Sequence, residues 1–323
     1  MKVFIVGGTG LLGWHTLNEL LARGHSVSTV ALPPLPVEKL LPDSVPCALG
    51  NIFTMKDDEL LALLRGHDAL FYAAGLDDRA VLDAPAYPKF HEANVIQCER
   101  VLALARRAGI RKALVCGSYF TYCDGLWPSL KLGQRHPYIR SRLEQKRAVL
   151  AMHGPDFSTG VLELPYIFGT MPGRKPLWTF LIEMLRNMGR VVFFPLRHGG
   201  TAMVTVKQVA QAAAGALEGS PGGRAWPIGG INMAWSEFLP MVQSSMGGAI
   251  RLVHAPKFVF TLGCKALESK LRKLGKEGGL SLGHLADILY RDAYIDPEPS
   301  MKALGYGPDD VRLAIKDAID QCV

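Results

Sequence analysis

Three glycines spaced three apart, Gly7, Gly10 and Gly13, lie between an apolar run and an amphipathic one, and this arrangement constrains the fold most. Val3-Phe4-Ile5-Val6 is a short unbroken apolar run, the pattern of a strand buried on both faces. Leu12, Thr16, Leu17, Leu20 and Leu21 then recur at helical spacing until Gly24 supplies a stop signal. In such a strand–loop–helix join the first glycine permits a tight turn. The second lets the backbone approach a pyrophosphate, and the third lets the helix pack on the sheet. The helix N-terminus adds amide donors and a partial positive charge for phosphates. A dinucleotide phosphate is therefore expected over Gly10, Leu11 and Leu12.

The alternation continues. Residues 26–32, 45–49, 69–73 and 113–116 read as strands. Residues 57–65 read as a helix, as does a longer stretch through Val95, Cys98, Leu102 and Ala105 that ends at Gly109. Strands alternating with helices mean βαβ units and a parallel sheet covered on both faces, an α/β class. After about residue 165 the rhythm changes: helical stretches at 176–188, 206–217 and 236–246 are separated by short strands and glycine turns. We expect a dinucleotide-binding domain over 1–170 and a smaller, mostly helical C-terminal lobe over 171–323, with residues from about 200 to 230 returning to the first domain.

Composition removes other classes. With 49% apolar and 20% charged residues the chain can bury a core, so disorder is excluded as the main theme. The formal net charge of +7 over 323 residues is mild and shows no stripe that would suit nucleic acid. No partner of that kind is expected. The six cysteines make no Cys-x-x-Cys pair and no zinc spacing with histidine, so reduced thiols, a cytoplasmic setting and no metal are expected. The apolar start runs into a glycine turn in place of a cleavage site, and no apolar stretch is long enough to span a bilayer. Stable membrane insertion is not expected.

At this point the chain resembles the extended, epimerase/dehydratase-like branch of the short-chain dehydrogenase/reductase superfamily. Its Gly-x-x-Gly-x-x-Gly turn carries the likeness first, and further landmarks follow in order. Asn51-Ile52 resembles the branch's Asp-Ile/Leu beside adenine, and 68–75, ending in Ala73-Ala74-Gly75, resembles its Asp-x-Val-Phe-His-x-Ala-Ala strand. Asn94-Val95 matches its fourth-helix Asn-Val. Pro165-Tyr166-Ile167-Phe168-Gly169 is similar to its Arg-Pro-x-x-Val-Tyr-Gly segment. The resemblance covers residues 1 to about 230 and the last part only loosely. It implies a Rossmann-type doubly wound sheet binding NAD or NADP, a small-molecule substrate, and room for a homodimer. It also implies cofactor contacts at Gly7, Gly10, Leu11, Leu12, Gly13, Asn51, Ile52, Ala73, Ala74, Gly75, Asn94, Tyr138, Arg142, Pro165 and Ile167.

The catalytic landmarks carry a departure. Gly117-Ser118 ends the fifth strand as in the family's Ser-Ser-x-x-x-Tyr-Gly, and Tyr138-Ile139-Arg140-Ser141-Arg142 stands where the family has Tyr-x-x-x-Lys. The resemblance makes Tyr138 the acid/base, Ser118 the group orienting the substrate oxygen, and Arg142 the replacement for lysine. A free phenol near pKa 10 is a poor base at neutral pH, so a neighbouring cation is needed. Arg142, one helical turn on, supplies the charge but cannot shuttle a proton. Two readings follow: catalysis with Arg142 as an electrostatic substitute, or a dinucleotide sensor without chemistry, NmrA-like. Tyr119-Phe120 follows Ser118 where dehydratases carry Asp-Glu. That leaves NAD(P)-dependent oxidoreduction of a carbonyl or alcohol as the leading function and nucleotide-sugar epimerisation as its alternative.

Other departures concern recognition. Ala31-Leu32-Pro33-Pro34 replaces the acidic residue that would hold the ribose of NAD, and no arginine follows for NADP, so the preference stays open. His15 could meet a phosphate or simply sit on a surface helix. Thr205-Val206-Lys207-Gln208 replaces the family's His-x-Asp-Asp. Tyr119, Phe120, Tyr122, Trp127, Trp178 and Phe180 could wall an apolar substrate or pack as core. Arg174, Lys175, Arg186, Arg190 and Arg197 could bind an anion or be scattered surface charge. From residue 258 to 276, Phe260, Leu267, Leu271 and Leu274 read as one face opposite Lys265, Lys270, Arg272 and Lys273. Such a helix either packs on the lobe or touches an anionic membrane.

Overall fold

The computed structural model describes residues 1–248 and 250–322. Seven strands form one parallel sheet: β1 (Lys2–Val6), β2 (Ser26–Ala31), β3 (Cys47–Leu49), β4 (Ala69–Tyr72), β5 (Lys112–Ser118), β6 (Ser158–Leu164) and β7 (Arg224–Pro227). Their spatial order is β7-β6-β5-β4-β1-β2-β3, with β1 pairing in parallel to both β2 and β4. The order reverses between β1 and β4. In a doubly wound sheet that reversal opens a crevice at the carboxyl ends of the strands.

The unbroken apolar run of β1 is needed because both of its faces are covered. Val3 and Ile5 face Leu17 and Leu20 of α1 (Leu11–Ala22), in a core shared with Val209 and Ala213 of a later helix, Val206–Glu218. Phe4 and Val6 face Leu60, Leu64, Leu102 and Val149 on the other side. The helix Val206–Glu218 starts from a capping box, Thr205 with Gln208, which explains locally why His-x-Asp-Asp is absent there. Together with β7 it returns to the first sheet.

The expected long helix ending at Gly109 is instead three-part. Tyr87–His91 leads into a wider turn, Glu92–Ile96, and then into the regular helix Gln97–Arg107. Single wide turns of this kind often mark functional sites. This one carries Asn94, fully buried.

The C-terminal part has its own four-stranded sheet, an element that short strands conceal in the sequence. Gly200–Thr205 pairs in parallel with Tyr166–Phe168 and Asp292–Ala293 and antiparallel with Ile231–Ala234. Around it pack Trp178, Ile182, Met203, Trp235, Phe238 and Ile315. The basic helix, Lys257–Lys273, departs from the expected stripe. Phe260 turns inward onto Phe194 and Tyr290, but Leu267 is 51% exposed and Leu274 65%. The inner face is built from Phe260, Cys264, Glu268 and Leu271, none of them fully buried, so a continuous leucine face has no core to enter.

Candidate active site

At the switch point the chain leaves β1 at Gly7, whose φ of +90° suits glycine. A Cβ on Gly13 would lie 2.1 Å from the Gly7 carbonyl oxygen, so the helix can sit this close to the loop only without a side chain. On Gly10 a Cβ would meet only that same oxygen, at 3.3 Å, and the first turn of α1 holds no acidic residue. The space above Gly10 is therefore open and electropositive, as a pyrophosphate requires. This separates two roles by experiment. Gly13→Ala should lower the thermal midpoint, by a strain of about 1–3 kcal/mol. Gly10→Ala should leave the midpoint nearly unchanged while cofactor affinity falls about tenfold or more.

The cleft runs from this loop to the second lobe. It is lined by Gly10, Leu11, Leu12 and Gly13, by Ala73, Ala74 and Gly75 after β4, by Ser118, Tyr138 and Arg142, and by Pro165 and Ile167. Other expected cofactor contacts lie outside its lining. Gly7 forms the turn beneath. Asn51 is exposed and accepts from the Phe53 N–H (3.0 Å), and the Ile52 carbonyl is taken by Arg100 (2.8 Å), both beyond β3 at the sheet edge. Asn94 stands behind the wall: it accepts from the Leu76 N–H (2.8 Å) and donates to the Leu76 carbonyl and to Ser141 (3.1 Å each). It holds the loop that follows Gly75.

Tyr138 and Arg142 project from one face of the helix Pro137–Ala151, and Ser118 ends β5. Ser118 and Arg142 line the cleft together with Tyr138, and both act to hold the pKa of its phenol down. Arg142 is buried. Its Nη1 donates to Gln145 Oε1 (2.8 Å) and the Cys116 carbonyl (3.3 Å), and its Nη2 to the Leu76 carbonyl (3.2 Å). Its Nε has no partner. A buried, unpaired donor is costly, and a ribose hydroxyl in the cleft would satisfy it. The residues present thus fit a nicotinamide dinucleotide.

Burial is the largest influence on Tyr138 and pushes its pKa up. Arg142 and Ser118 oppose that, and the charge of Asp78 adds to it, leaving a net rise. Asp78 is a lining residue that motif matching missed. Burial and Asp77 push its carboxyl up to about 6, against the pull of Arg79. Its position in the loop that follows β4 at the switch point was the available signal. Arg79 pairs with Asp77, donates to the Leu177 carbonyl (2.8 Å) and lies over the Phe180 ring, tying this loop to the second lobe.

The lobe side of the cleft is aromatic. Tyr119, Phe120, Tyr166, Trp178 and Phe180 line it, with Tyr166 and Trp178 centroids 4.9 Å apart. Tyr122 and Trp127 lie outside the lining; Arg291 covers the Trp127 ring. The proposed cations do not gather there either. Arg174 Nε donates to the Thr9 carbonyl (3.0 Å) and Lys175 lies beside it near Gly10, while Arg186, Arg190 and Arg197 are not cleft residues. His15 is half-buried and bonded to the Thr170 carbonyl (2.8 Å), with burial lowering its pKa; it does not line the cleft.

A phosphate-ready glycine loop opposite a tyrosine, serine and cation defines a dinucleotide-dependent enzyme of the short-chain dehydrogenase/reductase type. The model of the NAD dependent epimerase/dehydratase family matches residues 3–229, and the chain belongs to that family. It is 28% identical over 322 residues to a 4-hydroxy-2-methyl-3-oxo-4-farnesyl-3,4-dihydroquinoline-1-oxide ketoreductase from Stigmatella aurantiaca, covering 95% of this chain and 92% of that one. A human decarboxylating sterol-4-alpha-carboxylate 3-dehydrogenase is 26% identical over 200 residues, 58% of this chain and 50% of its own. Among solved structures, gox2253 superposes with a TM-score of 0.76 at 21% identity, covering 99% of this chain and 97% of its own. A dTDP-glucose 4,6-dehydratase from Streptomyces venezuelae does so with 0.71 at 17%, covering 99% and 96%. The protein is an NAD(P)-dependent oxidoreductase acting on a small molecule.

Proposed function

We propose that the enzyme reduces the carbonyl of an apolar, ring-bearing substrate, with Tyr138 as proton donor. The observation that carries this reading is the joint position of Tyr138, Ser118 and Arg142 at the floor of an aromatic-walled cleft. The Stigmatella aurantiaca relative, matched over most of its length, is named for reducing a ketone on a farnesyl-bearing dihydroquinoline, which supports the same substrate class.

When bound, the nicotinamide supplies the hydride. The chain supplies the rest. Ser118 Oγ and the Tyr138 hydroxyl donate to the carbonyl oxygen, polarising it, and Tyr138 passes its proton as the alkoxide forms. Arg142 stabilises the phenolate left behind and offers Nε to the ribose. Because guanidinium keeps its protons, the phenolate is reprotonated by water or by a cofactor hydroxyl. A raised tyrosine pKa keeps the phenol protonated at neutral pH, which favours reduction over alcohol oxidation. The setting we propose is cytoplasmic, which the six free cysteines support.

The test is NAD(P)H consumption with a panel of hydrophobic cyclic ketones and, separately, with UDP-glucose. Turnover of a hydrophobic ketone is expected. Binding of cofactor without turnover of any panel member would favour the sensor. Sugar interconversion without net cofactor use would favour the epimerase. Asp78 adds a pH signature: its negative charge raises Tyr138, so Asp78→Asn should move the alkaline rise of alcohol oxidation to lower pH. An unmoved profile would show that Asp78 does not act on the tyrosine.

A further inference from the structure

The helix Lys257–Lys273 has no buried residue. Its outward face carries Phe258, 68% exposed, and Leu262, 64% exposed, with Val259 and Ala266 on the same side. The strand Arg251–His254 leads directly into this helix and pairs with Val191–Phe194, from which Val191 and Phe193 also project into solvent. Large apolar side chains exposed together on one helix face, as Phe258 and Leu262 are, mark an interaction surface.

The charge beside them says what kind. Between Arg251 and Lys276 stand seven lysines and arginines against one acid, in a chain whose whole excess is +7. That acid, Glu268, turns inward to accept from Ser281 Oγ (2.8 Å). Lys265, Lys270 and Lys273 have no acidic partner among the described residues. Exposed phenylalanine and leucine beside unpaired lysines complement an anionic lipid surface, where apolar tips enter the headgroup boundary and ammonium groups meet phosphates. Among the described residues no helix is long and apolar enough to cross a membrane.

We propose that this helix seats the enzyme on an anionic lipid bilayer, Phe258 and Leu262 entering the interface and Lys265, Lys270 and Lys273 binding headgroup phosphates. The proposal is independent of the reaction assigned above.

Co-sedimentation of the full chain with vesicles of phosphatidylglycerol and of phosphatidylcholine tests it. The protein is expected to pellet with the anionic vesicles and not with the neutral ones, less so at high salt. Reversing Lys265, Lys270 and Lys273 to Glu should weaken binding by roughly 100-fold. The double variant Phe258→Ser, Leu262→Ser should also lose binding while keeping its thermal midpoint, since both side chains are exposed. Three results would overturn the proposal: no pelleting with phosphatidylglycerol, equal pelleting of wild type and double variant, or a wild-type dimer in sedimentation velocity that the same substitutions dissociate. The last would assign the face to a second copy, and capture of an acidic protein without lipid binding would assign it to a protein partner.

Discussion

Tyr138→Phe is expected to lower kcat for carbonyl reduction by roughly 10²–10⁴-fold while leaving cofactor affinity within about a factor of three. The ring stays, and with it the edge contacts to Phe90 and Phe120 (centroids 5.9 and 6.4 Å), so the wall of the cleft is preserved. Only the hydroxyl goes. Ser118 can still donate to the carbonyl oxygen, which leaves a residual rate, but no group of suitable pKa then stands beside the oxygen to deliver a proton. Arg142 cannot do so. Asp78, an acid in the cleft lining with its carboxyl pushed up to about 6, accounts for any proton delivery that survives, and the double variant Tyr138→Phe, Asp78→Asn measures its share. Single-turnover hydride transfer monitored by NAD(P)H absorbance separates this loss from slow product release. A Tyr138→Phe enzyme with unchanged kcat would remove Tyr138 from the mechanism.

The sheet was legible because β1 and β4 obey one rule: a strand covered on both faces must be apolar throughout, and Val3 to Val6 and Ala69 to Tyr72 are all buried. The glycine loop was legible for a steric reason, since Gly13 admits no Cβ. Local pattern failed where tertiary contacts decide. The wide turn at Glu92–Ile96 interrupts a run that reads as ordinary helix, and only the contacts of Asn94 with Leu76 and Ser141 give it a purpose. The strands of the second sheet are two to six residues long, too short for a period to declare itself. Aromatic spacing likewise could not separate Tyr119 and Phe120, which line the cleft, from Tyr122 and Trp127, which do not. Asp78 lay in plain view after β4. A carboxylate acquires meaning only through the burial and neighbours that the fold gives it.

Arg142→Met should lower kcat roughly 100-fold and also weaken cofactor binding, whereas Arg142→Lys should keep much of both. The geometry gives the reason. The guanidinium lies 5.1 Å from the centre of the Tyr138 ring, within a buried site where its charge is poorly screened. Methionine preserves much of the stem and deletes the charge. Burial and Asp78 are then opposed by Ser118 alone, so the phenolate formed on proton transfer is less stable and the barrier rises. Lysine restores the charge on a flexible stem but not the fork that spans Gln145, Cys116 and Leu76, so some activity is lost through looser placement. The sensor reading predicts a different pair of measurements: weaker cofactor binding in Arg142→Met, with no rate to lose in any variant. Titration of cofactor by protein fluorescence, alongside turnover on the same three proteins, tells them apart. If Arg142→Met turned over at the wild-type rate, the charge would have no catalytic part, and Arg142 would be left with its contacts to Leu76 and Cys116, a brace between the β4 loop and β5.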